Sequence, residues 1–221
     1  MKDKQVSNKK KGIAVKIIII IAIVSLIYGA SIYFIKGSNT GTKIIEPQII
    51  DLSFSNWEIT GEYKTSRRIT DQGTYMQIYD AYYGDSVQAV LDINNATELS
   101  FSFSVNTPDI SKDGACHIEL MNGEDTIILI TRRKMSGNWY VSLGAYILLV
   151  AEDTNWHDID VYVKINAVNS IITISVDGSV LIDSNQFTAT KINIDSIRIR
   201  SAKYYVTSLT WIKLKELIKI N

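Results

Sequence analysis

Acidic residues that share one face of a predicted strand are the first candidates for catalysis. Asp158 and Asp160 alternate with apolar residues, so both carboxyl groups point to the same side of their strand. Cleavage of a glycosidic bond needs two carboxyl groups that flank the bond, yet no third acid is in register with this pair, and Glu119 stands alone on its strand. We therefore expect a solvated sheet face at Asp158 and Asp160, and no enzymatic activity. We expect these two aspartates to form ion pairs with Arg198 and Arg200 of another strand.

Metal ligation and thiol chemistry have little support from the residues themselves. The two histidines, His117 and His157, are not clustered with other ligand-type residues, so no metal site is predicted. Cys116 is the single cysteine, which excludes an intrachain disulfide. It alternates with Ile118 and Leu120, a pattern that predicts a small buried apolar residue and not a reactive thiol.

Aromatic residues could bind a sugar, because the C–H face of a sugar ring stacks on an aromatic ring. Large aromatics contribute most when they are buried, so we expect Trp57, Trp156 and Trp211 to fill the core. Trp139 is expected to point inward, which turns its neighbour Tyr140 outward. The predicted ligand patch combines tyrosines with a basic strand: Tyr82, Tyr83, Tyr140, Arg198 and Arg200. The alternative is that these are ordinary surface residues.

Two short polar segments could be ordinary surface structure or could have a specific function. The basic run 132–134 is expected to be the solvated end of a hairpin, with contact to an anionic glycan or a membrane surface as the alternative. Asn95 opens an Asn-Ala-Thr triplet in a predicted turn, which matches the acceptor pattern for N-glycosylation. Asn95 is therefore a predicted glycosylation site.

The elements that must position these residues are strands. From about Ile49 onward, apolar residues recur at every second position, as in Leu99–Val105 and Ile159–Ile165. Alternation of this kind is typical of antiparallel sheets with one buried and one solvated face. Turn signals such as Asn122-Gly123 and Asp177-Gly178 separate the runs. We expect about a dozen strands, including 210–220 as the last, in an all-β antiparallel sandwich of two sheets.

The N-terminal region predicts a membrane anchor. Ile17–Ile35 contains 19 residues without a charge, which is long enough to span a bilayer core as a helix. Lysines concentrate before this segment, so the positive-inside rule places the N-terminus in the cytoplasm. The predicted organisation is a cytoplasmic tail (1–16), a transmembrane helix (17–35), a linker (36–48) and an extracytoplasmic domain (49–221).

Two other interpretations of the N-terminal region stay open. A secretory signal peptide would be cleaved, although the small residues Gly29-Ala30-Ser31 lie inside the apolar run and not after it. Lys11-Gly12-Ile13 resembles the cleavage site of archaeal type IV pilin-like proteins, in which the apolar helix then drives assembly. Lys16 inside that helix departs from the pilin pattern.

Charge is distributed unevenly along the chain. Residues 1–43 carry eight lysines and one acidic residue, whereas residues 44–221 carry 15 Lys and Arg against 22 Asp and Glu, a net charge of −7. Phosphate contacts need clustered basic residues. The acidic segment 44–221 therefore argues against nucleic acid as a partner. The basic segment 1–43 is suited to contact with a lipid bilayer.

Several segments resemble the concanavalin A-like lectin/glucanase superfamily, the LamG-like jelly rolls. The main one is Asn155–Ser184, in which a Trp-His pair opens a strand and Val-Asp-Gly closes the next strand at a hairpin. Leu52–Gly61 with Gly73–Tyr79 resembles the opening strands of such domains, and Ile197–Leu214 resembles the closing pair. The resemblance implies a jelly roll of two antiparallel sheets. The Glu-x-Asp-x-x-Glu acids of its glucanase members are absent from this sequence.

The resemblance includes binding modules and enzymes, so it implies no single activity. Relatives that bind Ca²⁺ through loop carboxylates make calcium possible here, with four candidate ligands: Asp80, Asp85, Asp109 and Asp113. We expect a membrane-anchored, non-catalytic module that binds carbohydrate or a cell-surface partner. The alternatives are a structural or pilin-like subunit that assembles with itself and, with less support, a glycan-cleaving enzyme.

Overall fold

The computed structural model describes residues 46–64, 66–81, 85–108, 116–133, 137–151, 153–201 and 208–220. Apart from one 3-10 turn at Phe54–Asn56, the regular structure in these ranges is β-strand. The strands are β1 (Gln48–Ile49), β2 (Glu58–Thr60), β3 (Arg67–Asp71), β4 (Met76–Asp80), β5 (Gln88–Ala96), β6 (Glu98–Asn106), β7 (Cys116–Asn122), β8 (Asp125–Arg132), β9 (Trp139–Ser142), β10 (Tyr146–Val150), β11 (His157–Lys164), β12 (Ser170–Val176), β13 (Ser179–Phe187), β14 (Ile194–Ser201) and β15 (Ser208–Lys219).

The strands form two antiparallel sheets. Sheet A has the order β13-β12-β11-β6-β15-β4-β3, and β1 pairs with the C-terminal part of β15. Sheet B has the order β10-β9-β8-β7-β14-β5-β2. The chain passes between the sheets several times, so β14 joins sheet B between β7 and β5, and β15 joins sheet A between β6 and β4. The prediction of an all-β antiparallel sandwich is confirmed, and so is the final strand.

Alternating side chains of both sheets supply a single hydrophobic cluster. Phe101 and Phe103 of sheet A are buried with ring centroids 4.8 Å apart, and Ile197 and Ile199 of sheet B are fully buried. Each buried aliphatic or aromatic side chain contributes about 1.5–3 kcal/mol. Cys116 belongs to the same cluster, and burial raises the pKa of its thiol to about 12. The prediction of a small buried apolar residue at this position is confirmed.

Tight turns lie where the sequence predicts them. Asp177 and Gly178 adopt positive φ angles of 50° and 76° in the two-residue turn between β12 and β13. Gly123 has a φ of 55° in the turn between β7 and β8. Asp and Gly tolerate these left-handed conformations better than most residues do, which explains Asp177-Gly178 in the first turn and Gly123 in the second.

The predicted tail, transmembrane helix and most of the predicted linker (residues 1–45) lie outside the described residues. Within the part of the chain that the structure describes, no helix has the length and hydrophobicity of a membrane span. The membrane anchor at 17–35 therefore stays a prediction.

Candidate functional site on the outer face of sheet B

The face of sheet B that points away from the core carries a charged cluster. Cys116, Ile118 and Leu120 of β7 point inward, so the alternation turns His117 and Glu119 outward. The same alternation on β14 buries Ile197 and Ile199 and turns Arg198 and Arg200 outward. Because β7 and β14 are neighbours, Glu119 lies directly opposite Arg198, and His117 lies opposite Arg200. Strand pairing thus collects four polar side chains in one place.

Glu119 binds both arginines. Its Oε2 accepts hydrogen bonds from Nε of Arg198 at 2.6 Å and Nε of Arg200 at 3.0 Å, and its Oε1 accepts from Nη2 of Arg200 at 3.0 Å. The Glu119 side chain is only 2% exposed, whereas those of Arg198 and Arg200 are 18% and 24% exposed. Burial alone would raise the pKa of Glu119, but the bonds from Arg200 and Arg198 outweigh burial, and its pKa lies below the usual value. Glu119 is therefore a carboxylate at neutral pH.

His117 is neutral in this environment. Burial is the main cause that lowers its pKa to about 4, and the positive charge of Arg200 adds to the effect. Its Nδ1 is buried and has no hydrogen-bond partner within the described ranges. The imidazole therefore adds no charge to the cluster, in which two arginines face one carboxylate.

Tyr140 lies in the same outward row as this cluster. Arg200 is opposite His117, His117 is opposite Thr131, and Thr131 is opposite Tyr140, so the row crosses β14, β7, β8 and β9. Three strand spacings of about 4.8 Å separate Arg200 from Tyr140, or about 14 Å. The ring of Tyr140 meets that of Tyr146 edge-on at 6.2 Å. The row therefore has a polar, charged end and an aromatic end.

A cleft runs beside the row. Its volume is about 650 Å³, within the usual range for ligand sites. Leu129 and Ser142, which share the register of Glu119, form part of its lining, and Phe187 comes from the end of β13. The cleft therefore adjoins the charged cluster through the strand register, although the residues of the cluster do not line it.

The structure brings together three of the five predicted ligand residues. Tyr140, Arg198 and Arg200 share the outer face of sheet B, whereas Tyr82 and Tyr83 lie outside the described residues. The sequence analysis treats Glu119 as an isolated acid and misses its contact with the two arginines. The one available signal was local: Glu119 lies between Ile118 and Leu120, which alternation turns inward, so Glu119 itself must point outward.

The expected pairing of Asp158 and Asp160 with Arg198 and Arg200 is wrong. Both aspartates lie in β11 of sheet A, whereas both arginines lie in β14 of sheet B. Asp158 pairs with Lys215 at 2.6 Å, and Asp160 accepts a hydrogen bond from Ser102 at 2.7 Å. Alternation showed which residues point outward, but it could not show which sheet a strand joins.

Two of the tryptophan predictions are wrong and two are confirmed. Trp57 and Trp139 are buried, at 5% and 3% exposure. Trp156 precedes β11 and is 41% exposed, and Trp211 of β15 is half-buried on the outer face of sheet A. The buried Ile212 beside Trp211 occupies the inward position, which leaves only the outward position for the larger side chain.

The basic run 132–134 also differs from the prediction of a solvated hairpin end. Arg132 is fully buried, and its Nε donates a hydrogen bond to the carbonyl of Gly137 at 3.1 Å. Arg133 is exposed, and its guanidinium lies over the ring of Tyr146 at 4.1 Å. The two arginines of the run therefore differ, with Arg132 inside and Arg133 against the aromatic end of the row, and Lys134 lies outside the described residues.

Of the four candidate calcium ligands, only Asp80 and Asp85 belong to the part of the chain that the structure describes. Asp80 is buried and accepts a hydrogen bond from Ser201 at 2.6 Å, Asp85 is exposed, and Asp109 and Asp113 lie outside the described residues. The described ranges contain no group of three or more His, Cys, Asp or Glu residues that could hold a metal ion.

The predicted glycosylation residue is accessible. Asn95 is exposed near the end of β5 with a φ of 58°, and its Oδ1 accepts a hydrogen bond from Asn193. Glycosylation at Asn95 stays a prediction.

Comparison with known proteins supports the fold. No family model matches the chain, and no curated protein is significantly similar to it. A solved sialidase structure is similar over 76% of this chain, with a TM-score of 0.62 and 14% identity, but the match covers only 17% of the sialidase. A legume lectin-like domain from Entamoeba histolytica (TM-score 0.46, 14% identity, 74% of this chain and 88% of that one) and the carbohydrate binding module CBM66 from Bacillus subtilis (0.44, 10%, 73% and 94%) also match. The expected concanavalin A-like jelly-roll fold is confirmed.

Proposed function

We propose that this protein is a carbohydrate-binding module and that its ligand lies on the outer face of sheet B. The observation that carries the proposal is the row that joins Arg200 and His117 to Tyr140. Sugars present hydroxyl groups along their edges and C–H groups on their faces. A guanidinium supplies paired, planar donors for hydroxyl or carboxyl oxygens, and a tyrosine ring offers a stacking surface.

Glu119 supports the proposal because it holds the donors in place. Three hydrogen bonds orient both guanidinium groups, so a ligand does not have to pay for ordering two long side chains. Partial exposure of the two arginines leaves them accessible to a ligand on this face. The arrangement is preorganised for binding.

We also propose that the module is non-catalytic. A general acid needs a raised pKa, whereas the pKa of Glu119 is lowered. Glu58 is an exposed acid on the same face, but it lies in β2, three strands from Glu119. Three strand spacings are about 14 Å. Glycoside hydrolases hold their two carboxyl groups about 5–9.5 Å apart, so this pair is too widely separated.

A glycan-array screen followed by calorimetry tests the binding site, using the full-length chain in mild detergent, with and without calcium. We expect Tyr140→Ala and Arg200→Gln each to weaken binding tenfold or more. The matched controls are Tyr79→Ala and Arg68→Gln, because these residues are a partly buried tyrosine and arginine on sheet A, away from the proposed site. Equal affinity of all four variants, or no glycan bound by a folded protein, would refute the proposal.

We further propose that residues 17–35 anchor the module in the cell membrane with the sandwich outside. The uncharged run and the preceding lysines support this topology. Alkaline extraction should leave the chain in the membrane fraction, and protease added to intact cells should remove the sandwich. Cleavage after Gly12 together with filament formation would instead support the pilin-like alternative.

A further inference from the structure

A cluster of three aromatic side chains lies on the outer face of sheet A. The ring of Tyr75 is 5.0 Å from that of Trp211 and 6.0 Å from that of Trp156, and the two indoles are 6.3 Å apart. Trp156 is 41% exposed. Full burial of a tryptophan would remove a large apolar surface from water, so grouped aromatics on a surface need another explanation.

The cluster borders an open cleft of about 370 Å³, a volume in the lower part of the usual range for ligand sites. The cleft lies on a different sheet from the row that contains Tyr140, with which it shares no lining residue. Nε1 of Trp211 is buried and has no hydrogen-bond partner within the described ranges. A buried polar group without a partner is uncommon in a folded protein and often accompanies a functional site.

Polar groups also line the cleft. Oδ1 of Asp158 accepts hydrogen bonds from Oγ of Ser104 and Nζ of Lys215, both at 2.6 Å. Oδ2 of Asp158 can still accept a bond from a ligand hydroxyl, and the carboxylate is half-exposed. Lys213, on the next outward position of β15, also lines the cleft and is exposed. The lining of this cleft contains two lysines and one aspartate, an excess of one positive charge in a domain that is acidic as a whole.

These features select a class of ligand. The exposed face of a single indole ring, that of Trp156, suits the C–H face of a pyranose ring. The fixed carboxylate of Asp158 suits the hydroxyl groups of the sugar, and the lysine that has no carboxylate to balance it suits an acid group on the ring. A purely apolar ligand would leave Asp158 and Lys213 without a role, and a simple anion would not use the aromatic rings.

We propose that this aromatic cleft is a second carbohydrate site, independent of sheet B, that stacks an acidic sugar ring on Trp156. Asp158 accepts hydrogen bonds from the ring hydroxyls, and Lys213 pairs with the carboxylate of a uronic acid unit. Two sites on opposite sheets allow one molecule to bind two glycan chains or two segments of one chain, which raises the effective affinity for a polymer.

Short uronic acid oligomers test the proposal with the full-length chain in detergent. The probes are tri-galacturonate, tri-mannuronate and a hyaluronan tetrasaccharide, each compared with a neutral oligosaccharide of the same length, by calorimetry and tryptophan fluorescence. We expect at least one acidic probe to bind better than its neutral counterpart. Its affinity should fall tenfold or more in Trp156→Ala, less in Trp156→Phe, and at least threefold in Lys213→Gln.

Two controls separate this site from the other one. Leu181→Ala removes a similarly exposed apolar side chain, 48% exposed on β13 of the same sheet, and should leave binding unchanged. Tyr140→Ala should also leave binding of the acidic probe unchanged, whatever its effect on other glycans. Absence of binding by all three acidic probes, or equal affinity of the Trp156→Ala variant and the unmodified chain, would overturn the proposal. Equal affinity for neutral and acidic probes would overturn the part assigned to Lys213.

Discussion

Oε2 of Glu119 lies 2.6 Å from Nε of Arg198, across the β7–β14 strand pair and beneath a partly open surface. The carboxylate is buried, whereas the arginine and its neighbour Arg200 reach solvent. A charge that is buried at the base of a cluster is supported only by its partners, because water cannot replace them. The pair therefore contributes both to the fold and to the orientation of the guanidinium groups.

The first prediction concerns this carboxylate. Glu119→Gln keeps the shape of the side chain but removes its charge, and we expect the free energy of unfolding to fall by about 1–3 kcal/mol. Glycan affinity should fall as well, because the guanidinium groups lose their common anchor. Glu58→Gln is the matched control, because Glu58 is exposed on the same face and should change stability by less than about 0.5 kcal/mol. Urea denaturation measures both, and equal values for the two variants would contradict the prediction.

The second prediction concerns His157, which lies between two carboxylates. Its Nδ1 is 2.8 Å from Asp177, and its Nε2 is 2.9 Å from Asp153. Partial burial would lower the pKa of His157, but the bonds to Asp177 and Asp153 outweigh it, so its pKa is raised. The protonated form therefore stabilises the fold below about pH 6.5, and this contribution disappears as the pH rises through the folded-state pKa.

His157→Asn should accordingly cost more stability at pH 5.5 than at pH 8.5. The side chain is partly exposed, so we expect a difference of roughly 0.5–1 kcal/mol between the two pH values. Chemical denaturation of both proteins at each pH gives the measurement. A cost that does not change with pH would show that His157 acts by packing alone.

The third prediction concerns His117, whose pH dependence has the opposite sign. The folded-state pKa of about 4 lies below the ordinary value of 6.5, so the unfolded chain binds a proton that the folded chain excludes. Stability is therefore lost as the pH falls from about 6.5 towards 4, by at most about 1.4 kcal/mol per pH unit. His117→Gln should lose less stability than the unmodified chain between pH 7 and pH 5. If the free energies of unfolding of the two proteins change in parallel with pH, His117 is not the cause of the loss of stability at low pH.

The fourth prediction uses two glycines with nearly the same φ angle. Gly61 and Gly73 have φ angles of 78° and 79°, but a Cβ added at Gly61 would overlap the backbone oxygen of Ser86, whereas nothing lies within 4 Å at Gly73. Gly73→Ala should therefore cost about 1 kcal/mol from backbone strain alone. Gly61→Ala should cost about 2–4 kcal/mol, because a backbone atom must also move. Thermal unfolding measures both, and similar midpoints for the two variants would contradict the overlap.

Local patterns correctly predicted the strands and the direction of many side chains. The alternation around Trp139 and Tyr140 placed the first inside and the second outside, as observed. Asp177-Gly178 correctly marked a hairpin. These features depend on residues that are close in sequence, because the two faces of a strand and the geometry of a tight turn are local properties.

The candidate sites depended on relationships that the sequence does not display. Glu119 and Arg198 are 79 positions apart, and nothing near either residue shows that their strands are neighbours. The predictions for Trp156 and Arg132 are wrong for a related reason. Residue type suggests burial for the tryptophan and exposure for the arginine, whereas the tryptophan is exposed and the arginine is buried. Composition describes average behaviour, whereas burial at a given position depends on what covers it.

The sequence by itself determined that the body of this protein is an antiparallel β-sandwich, because alternation with period two leaves one face of each strand to be buried. It also predicts the membrane segment, which is a property of a single continuous run. Only the tertiary structure decided which outward residues meet, since the order of strands in a sheet is set by long-range pairing. The row from Arg200 to Tyr140 and the aromatic cleft at Trp156 are therefore products of topology, assembled from strands that are distant in sequence.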